Sequence, residues 1–245
     1  MTEAGQVLTL QHDGDIAVLT LRRPDRRNAL NLDLCRAIHA GVDDAISAGA
    51  RAIVVTGEGT AFCSGADLDG VYGGEFLEAL YGMLQHLTAV SVPLIAAVNG
   101  PAIGAGTQLA MACDLRVAAA TARFGVPTAR NGMAVDAWTI RTLEKLAGTG
   151  PARRVMLGAE LLDQEQALAC GLADRAGTLD AAVAWAHEIA TFAPLTLAHN
   201  KMVLNGSAGD ETVIEQSFTH VWASADVREA AAARSEKRSP IFTGE

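Results

Sequence analysis

The sequence predicts an α/β fold that closes in an all-helical part, and three observations carry that expectation. Short apolar, strand-like runs alternate with segments of helical period in three successive rounds. Two of the runs lead into glycine turns, and from about Ala193 onward only helical periodicity remains. At 245 residues the chain can bury a large core without disulfide staples, as one large domain or one domain with a small appendage.

The elements follow in order. "QVLTLQHDGDIAVLTL" alternates like two strands joined at Asp13 and Gly14, because Asp-Gly supplies the positive φ angles of a tight hairpin. Asn31 is placed to cap a helix whose apolar positions Leu34, Cys35, Ile38, Val42, Ala45 and Ile46 recur at helical spacing. "RAIVVTG" then gives a buried strand ending at Gly57. The second round has a helix over 75–87, the strand "VPLIAAVNG" over 92–100, a glycine turn, a short apolar helix and the strand "DLRVAAA" over 114–120. The third has a strand fragment from Phe124 to Val126 and a helix over 137–148. Asp163 and Gln166 form a capping box for "QEQALACG", with Gly171 as its stop, and Asp226 with Glu229 has the same spacing before a last helix. No low-complexity linker divides the chain.

Composition narrows the function classes. A net charge of −9 and a pI near 5.1 argue against a nucleic-acid footprint, which needs a basic face. The basic run "RRPDRR" over 22–27 is, on residue type alone, a solvated loop. Cys35, Cys63, Cys113 and Cys170 have no C-x-x-C spacing, so neither zinc ligation nor a secreted disulfide framework is expected; a reducing cytoplasm fits. The first 20 residues lack a basic export region, and no run approaches the roughly 20 apolar residues of a membrane span. The histidines have no H-E-x-x-H spacing, so no metal site is expected.

Familiar glycine motifs fail on inspection. "GEGTAF" over 57–62 has Phe62 where a dinucleotide fingerprint needs a small residue, no Gly-Lys-Ser/Thr exists for a P-loop, and Phe62 stands where a nucleophile elbow at Ser64 needs glycine. What remains is the pair "FCSGADL" and "NGPAIGAG". Each follows an apolar strand and can present free backbone N–H groups, so facing one another they would form an oxyanion hole; on composition alone they are equally well two tight turns. Behind the second lies Gln108, an amide in the otherwise apolar "IGAGTQLAMACD". An unpaired buried amide costs about 1–3 kcal/mol, so it must find a partner or face a cavity.

The chain resembles the enoyl-CoA hydratase/isomerase (crotonase) family along its whole length, through "LRRPDRRNALN", "GTAFCSGADL", "AVNGPAIGAGTQLAMACDLRVA", "FGVPTARNGM", "LLDQEQALACGLAD" and "SADVREAAAARSEKR" in that order. The resemblance implies a ClpP/crotonase-like spiral of strand-strand-helix repeats over 1–192 that binds acyl-CoA. It also implies a helical C-terminal region over 193–245 that builds homotrimers or dimers of trimers. It implies a coenzyme A thioester as substrate or ligand, fatty acyl-CoA above all, with no permanently bound cofactor. The oxyanion donors would be the N–H groups of Ala66 and Ala105, where relatives usually carry glycine in place of Ala105. Arg26, Arg27, Ala29, Ser64, Ala66, Asp67 and Leu68 match positions along the CoA path, with Lys201, Lys237 and Arg238 as weaker matches. The segment 75–87 is expected over the acyl end, so Phe76, Leu77, Leu80, Tyr81 and Leu84 are pocket candidates, with Trp138 from outside the segment.

Hydratases of this family carry two proton-shuttling glutamates, and the resemblance puts Gln108 and Thr128 at those positions. Neither an amide nor an alkyl hydroxyl exchanges protons at useful cost near neutral pH. The leading expectation is therefore a cytoplasmic acyl-CoA-binding member of lipid metabolism that is deficient in hydration. One alternative is an active isomerase or other acyl-CoA enzyme using Asp136 as acid/base, at a position where some members place a catalytic aspartate. Asp136 stands just before "AWTIRTLEKL", where an aspartate is first of all an N-cap. The other alternative is a conventional enoyl-CoA hydratase.

Overall fold

The computed structural model describes residues 7–67, 74–207 and 209–245. Its first hairpin pairs β1 (Leu8–Asp13) antiparallel with β2 (Ile16–Leu21), the register closing at Asp13 opposite Ile16. The turn residues are thus Gly14 and Asp15, one place later than expected, because Asp13 still has a partner on the ladder.

Asn31 caps α1 (Leu32–Ser47), its side chain accepting from the Leu34 N–H at 3.0 Å. There follow β3 (Ala52–Gly57), α2 (Gly74–Ala89), β4 (Leu94–Val98), β5 (Pro101–Ile103), α3 (Ala105–Ala112), β6 (Leu115–Ala118) and β7 (Arg123–Gly125). Next are α4 (Ala137–Ala147), α5 (Thr149–Met156), β8 (Leu162–Asp163), α6 (Gln164–Cys170), β9 (Arg175–Ala176) and α7 (Leu179–Ala190). The chain ends in α8 (Pro194–Asn205), α9 (Glu211–Ala223) and α10 (Ala225–Glu236). No helix among the described residues is long and apolar enough to cross a membrane.

A six-stranded sheet runs β1-β2-β3-β4-β6-β9, parallel from β2 onward, and a small second sheet runs β5-β7-β8. The strand period of two divides the core. Ile53 and Val55 of β3 face α1, α2 and α3, whereas Ala52 and Val54 face α7 through Ala182, Ala186 and Ile189. A sheet covered on both faces accounts for β3 being buried at every position.

Five elements, β5, α5, β8, β9 and α7, are not among those the sequence predicts. β5 is three residues long and pairs with β7 only after the chain has turned at Gly100, and α5 follows α4 with only Gly148 between them. The capping box at Asp163 and Gln166 forms in both directions, at 3.1 and 3.0 Å. The second one does not form. Ser224 is the N-cap of α10, while the buried Asp226 carboxylate accepts from the Thr243 and Gly244 N–H groups at 2.8 and 3.1 Å. Glu229 is held by Arg238 and the Ile241 N–H instead. Identical spacing is overridden here by the returning tail.

Burial pushes the thiols of Cys35, Cys63 and Cys113 up to about 12, and only Cys170 is partly accessible. Thiolates, not thiols, are alkylated. Iodoacetamide at mildly alkaline pH is therefore expected to label the folded protein at Cys170 alone and the unfolded chain at all four cysteines, as mass spectrometry of the intact protein would read.

Candidate active site

Three stretches of backbone meet at the ends of β3 and β4. The turn after β3 lies beside β5, with the Cys63 N–H donating to Pro101 O at 3.1 Å and the Ile103 N–H to Cys63 O at 3.0 Å. The basic loop joins from the other side: the Ser64 N–H reaches Arg27 O, the Leu30 N–H reaches Gly65 O and the Asp67 N–H reaches Leu30 O, at 3.0, 2.8 and 2.7 Å. The approach is close enough to require glycine twice. Gly65 has φ +114°, and a Cβ there would lie 2.9 Å from Ile103 O; a Cβ on Gly106 would lie 2.0 Å from Cys63 O.

This ladder uses the amides of Leu30, Ser64 and Asp67 and leaves the Ala66 N–H without a partner among the described residues. The Ala105 N–H is also without one, since it belongs to the first turn of α3, whose amides have no intrahelical acceptor. Both residues line a cavity of about 190 Å³. Two unpaired main-chain donors beside one cavity, one of them at the positive end of a helix, suit the oxygen of a polarised carbonyl.

The rest of the cavity wall is largely apolar. Phe76, Leu77, Leu80 and Tyr81 line it from α2, as expected for the 75–87 segment. Leu84 is packed in the core instead, and Trp138 lines a separate cavity of about 290 Å³ beside Cys113 and Arg116. Gln108 and Thr128 contribute polar side chains. Among the described lining residues none is Asp, Glu, His, Cys, Lys or Arg.

Gln108 is 2% exposed, and its partner is Thr139: Nε2 donates to the Thr139 hydroxyl at 2.6 Å, and that hydroxyl donates to Asp136 Oδ1 at 2.5 Å. The chain of bonds orients the amide. A carboxylate only accepts, so the single Thr139 proton goes to Asp136, the hydroxyl must accept from Gln108, and the Gln108 oxygen is turned elsewhere. Asp136 also caps α4, accepting from the Thr139 N–H at 3.1 Å. It is not part of the cavity lining and reaches it only through Thr139 and Gln108. Thr139→Val keeps the volume but leaves the Gln108 amide buried without an acceptor. It is expected to lower unfolding free energy by about 1–3 kcal/mol in urea titration, while Ser at this position keeps most of it.

The remaining candidates separate by burial. Arg26 and Arg27 are exposed on the loop, Ala29 is buried beneath it, and Ser64 donates to Arg26 O at 3.3 Å. Asp67 pairs with Arg23 at 2.8 Å, the two side chains being 14% and 17% exposed, so it ties the basic loop to the turn. Leu68 lies outside the described residues. Lys201 is not available to a phosphate, being buried and paired with Asp114 at 2.8 Å and with Val92 O at 2.9 Å. Arg238 is engaged by both Glu229 and Glu236.

Three residues that build the site were not singled out from the sequence. Arg23 is one of four arginines in its loop. Asn28, fully buried, accepts from the Arg23 N–H and donates to Glu58 O and Ala61 O, sewing the loop to the turn. Thr139 was legible in principle, since it stands three residues after an N-cap aspartate, where the cap's acceptor points.

A doubly covered sheet that sets two main-chain amides, unpartnered among the described residues, beside a largely apolar cavity defines a protein of the crotonase fold. The chain belongs to the enoyl-CoA hydratase/isomerase family, whose profile matches residues 11–245. A Mycobacterium tuberculosis (strain CDC 1551 / Oshkosh) protein named "Probable enoyl-CoA hydratase echA6" is 46% identical over 252 residues, covering 100% of this chain and 98% of its own. The 2,3-dehydroadipyl-CoA hydratase of Escherichia coli (strain K12) is 34% identical, covering 94% and 95%. The crystal structure of enoyl-CoA hydratase from Bacillus anthracis superposes with a TM-score of 0.90 at 25% identity, over 98% of this chain and 100% of that one. The family acts on coenzyme A thioesters.

Proposed function

We propose that this protein binds fatty acyl-CoA with the thioester oxygen between the Ala66 and Ala105 amides, and that it hydrates enoyl-CoA only slowly. The observation that carries this reading is the cavity wall: beside the two main-chain donors the described lining offers the polar side chains of Ser64, Tyr81, Gln108, Thr128 and Asn131 but no carboxylate or imidazole. Each missing proton-transfer group typically costs about 10²–10⁴ in rate. Asp136 lies outside the described lining and its Oδ1 accepts from the Thr139 hydroxyl and N–H, so the contacts support its role as the cap of α4.

Arg26 and Arg27 are exposed at the edge of the same backbone ladder, where Ala29, Ser64 and Asp67 also lie, which supports a CoA phosphate path along that loop. In the helical region from 193 onward, Leu204, Phe218 and Trp222 are more than half exposed, which supports assembly of the core over 1–192 into trimers or hexamers through this part. A cytoplasmic place in fatty acid metabolism completes the proposal.

Calorimetric titration with acyl-CoAs of graded length, paired with an enoyl-CoA absorbance assay, tests it. The expected result is saturable binding with slow absorbance decay. Absence of heat with every chain length overturns the binding reading, and rapid hydration by the unmodified protein overturns the deficiency.

A further inference from the structure

Away from the acyl cavity, α1 and α2 pack against each other and bring two histidines and an aspartate together. His39 and Asp43 lie one helical turn apart on α1, so they share a face, and His86 comes across from the last turn of α2. The imidazole rings stack with centroids 3.8 Å apart and planes within 6°. Asp43 spans the pair, Oδ1 lying 2.8 Å from His86 Nε2 and Oδ2 3.8 Å from His39 Nε2. We propose that His39, Asp43 and His86 bind one divalent transition-metal ion of the zinc class and so clamp α2 to α1.

Two features point to a ligand rather than to a solvated cluster. First, one atom from each side chain lies within 4.8 Å of the others. Tetrahedral zinc with bonds near 2.0–2.2 Å needs its ligand atoms about 3.3 Å apart, and because the two rings stack in parallel, at least one imidazole must turn out of the stack to aim its in-plane lone pair at a shared ion. Second, His86 Nε2 is closed off from solvent yet makes no hydrogen bond, because the nearby Asp43 oxygen lies off the line that the ring nitrogen uses. A buried polar atom in that state gains from any partner that meets it in the ring plane.

The donor set decides the class. Two imidazole nitrogens and one carboxylate oxygen suit zinc, cobalt, nickel or copper, whereas magnesium and calcium prefer oxygen alone. His39 and Asp43 are about half exposed, so the ion can enter from solvent and keep water as a further ligand. None of the three side chains lines the acyl cavity, but Phe76, Leu77, Leu80 and Tyr81 of the same α2 do. An ion at the far end of this helix would stiffen the wall without touching an acyl ligand.

Full-length protein stripped with a chelator and titrated calorimetrically with zinc chloride near neutral pH tests the site. One zinc per chain is expected, with a rise in Tm and no comparable effect of magnesium. His39→Gln with His86→Gln should weaken zinc binding at least about tenfold, since even partners outside the ligand shell are worth about 10–100-fold. Asp43→Asn, a smaller change on the exposed side of α1, gives the same reading should the double variant lose its helical circular dichroism. Absence of zinc binding, or affinity unchanged in the folded variants, overturns the proposal, as does magnesium binding with equal affinity.

Discussion

Replacing Gln108 and Thr128 together by glutamate is expected to raise enoyl-CoA hydration at least about 10²-fold over the unmodified protein, read as the loss of enoyl absorbance. The size follows from what the cavity already has. If the Ala66 and Ala105 amides polarise the thioester, the scaffold lacks only the groups that take a proton from water and deliver it to carbon. The Gln108 position carries an extra effect. In the present structure the amide donates to Thr139, which passes its single proton to Asp136. A carboxylate at 108 would compete with Asp136 for that proton, and the nearby negative charge would raise its pKa. A raised carboxyl pKa suits proton transfer near neutrality, so Gln108→Glu should be partly active alone and Thr128→Glu less so. Equal rates in the double variant and the unmodified protein would show that the missing acids are not what limits hydration.

The positions that sequence made legible are those where one local signal suffices. Asn31 caps α1, Asp163 and Gln166 close their box, and the apolar stripe from Leu34 to Ala45 is buried, each set by residues within a few places of one another. Asp226 and Glu229 carry the same local signal and fail because Thr243 and Gly244, far along the chain, claim the Asp226 carboxylate. The site divides in the same way. The two glycine turns and Gln108 stood out through composition, and the family resemblance supplied roles for Ala66, Ala105 and Thr128. What neither supplied is the support: the Arg23–Asp67 pair, the three bonds of Asn28 and the Thr139 link. Apart from the local bond between the Arg23 N–H and Asn28, these join segments 30 or more residues apart, and no short-range periodicity encodes them.

Gly106→Ala and Gly82→Ala make the same chemical change and are expected to move the protein in opposite directions. At Gly106 a Cβ would lie 2.0 Å from Cys63 O and 2.8 Å from Cys63 C, and backbone on both sides cannot swing away as a side chain could. Relief requires α3 to back off from the turn that carries Ala66. Overpacking of this kind costs about 3 kcal/mol, and at 2–4 °C per kcal/mol for a chain of this size Tm should fall by about 6–12 °C. The two turns would also part, so at least one carbonyl hydrogen bond is lost and acyl-CoA affinity drops about tenfold or more. At Gly82, on the outer face of α2, nothing lies within 4 Å of the added carbon. There alanine only removes backbone freedom from the unfolded chain, so stability should rise by about 0.5–1 kcal/mol with affinity unchanged. Thermal denaturation and acyl-CoA titration of both variants separate the effects. If Gly106→Ala bound ligand like the parent, close contact between the turns would not be what sets the two amides, and the carbonyl would have to be held elsewhere in the cavity.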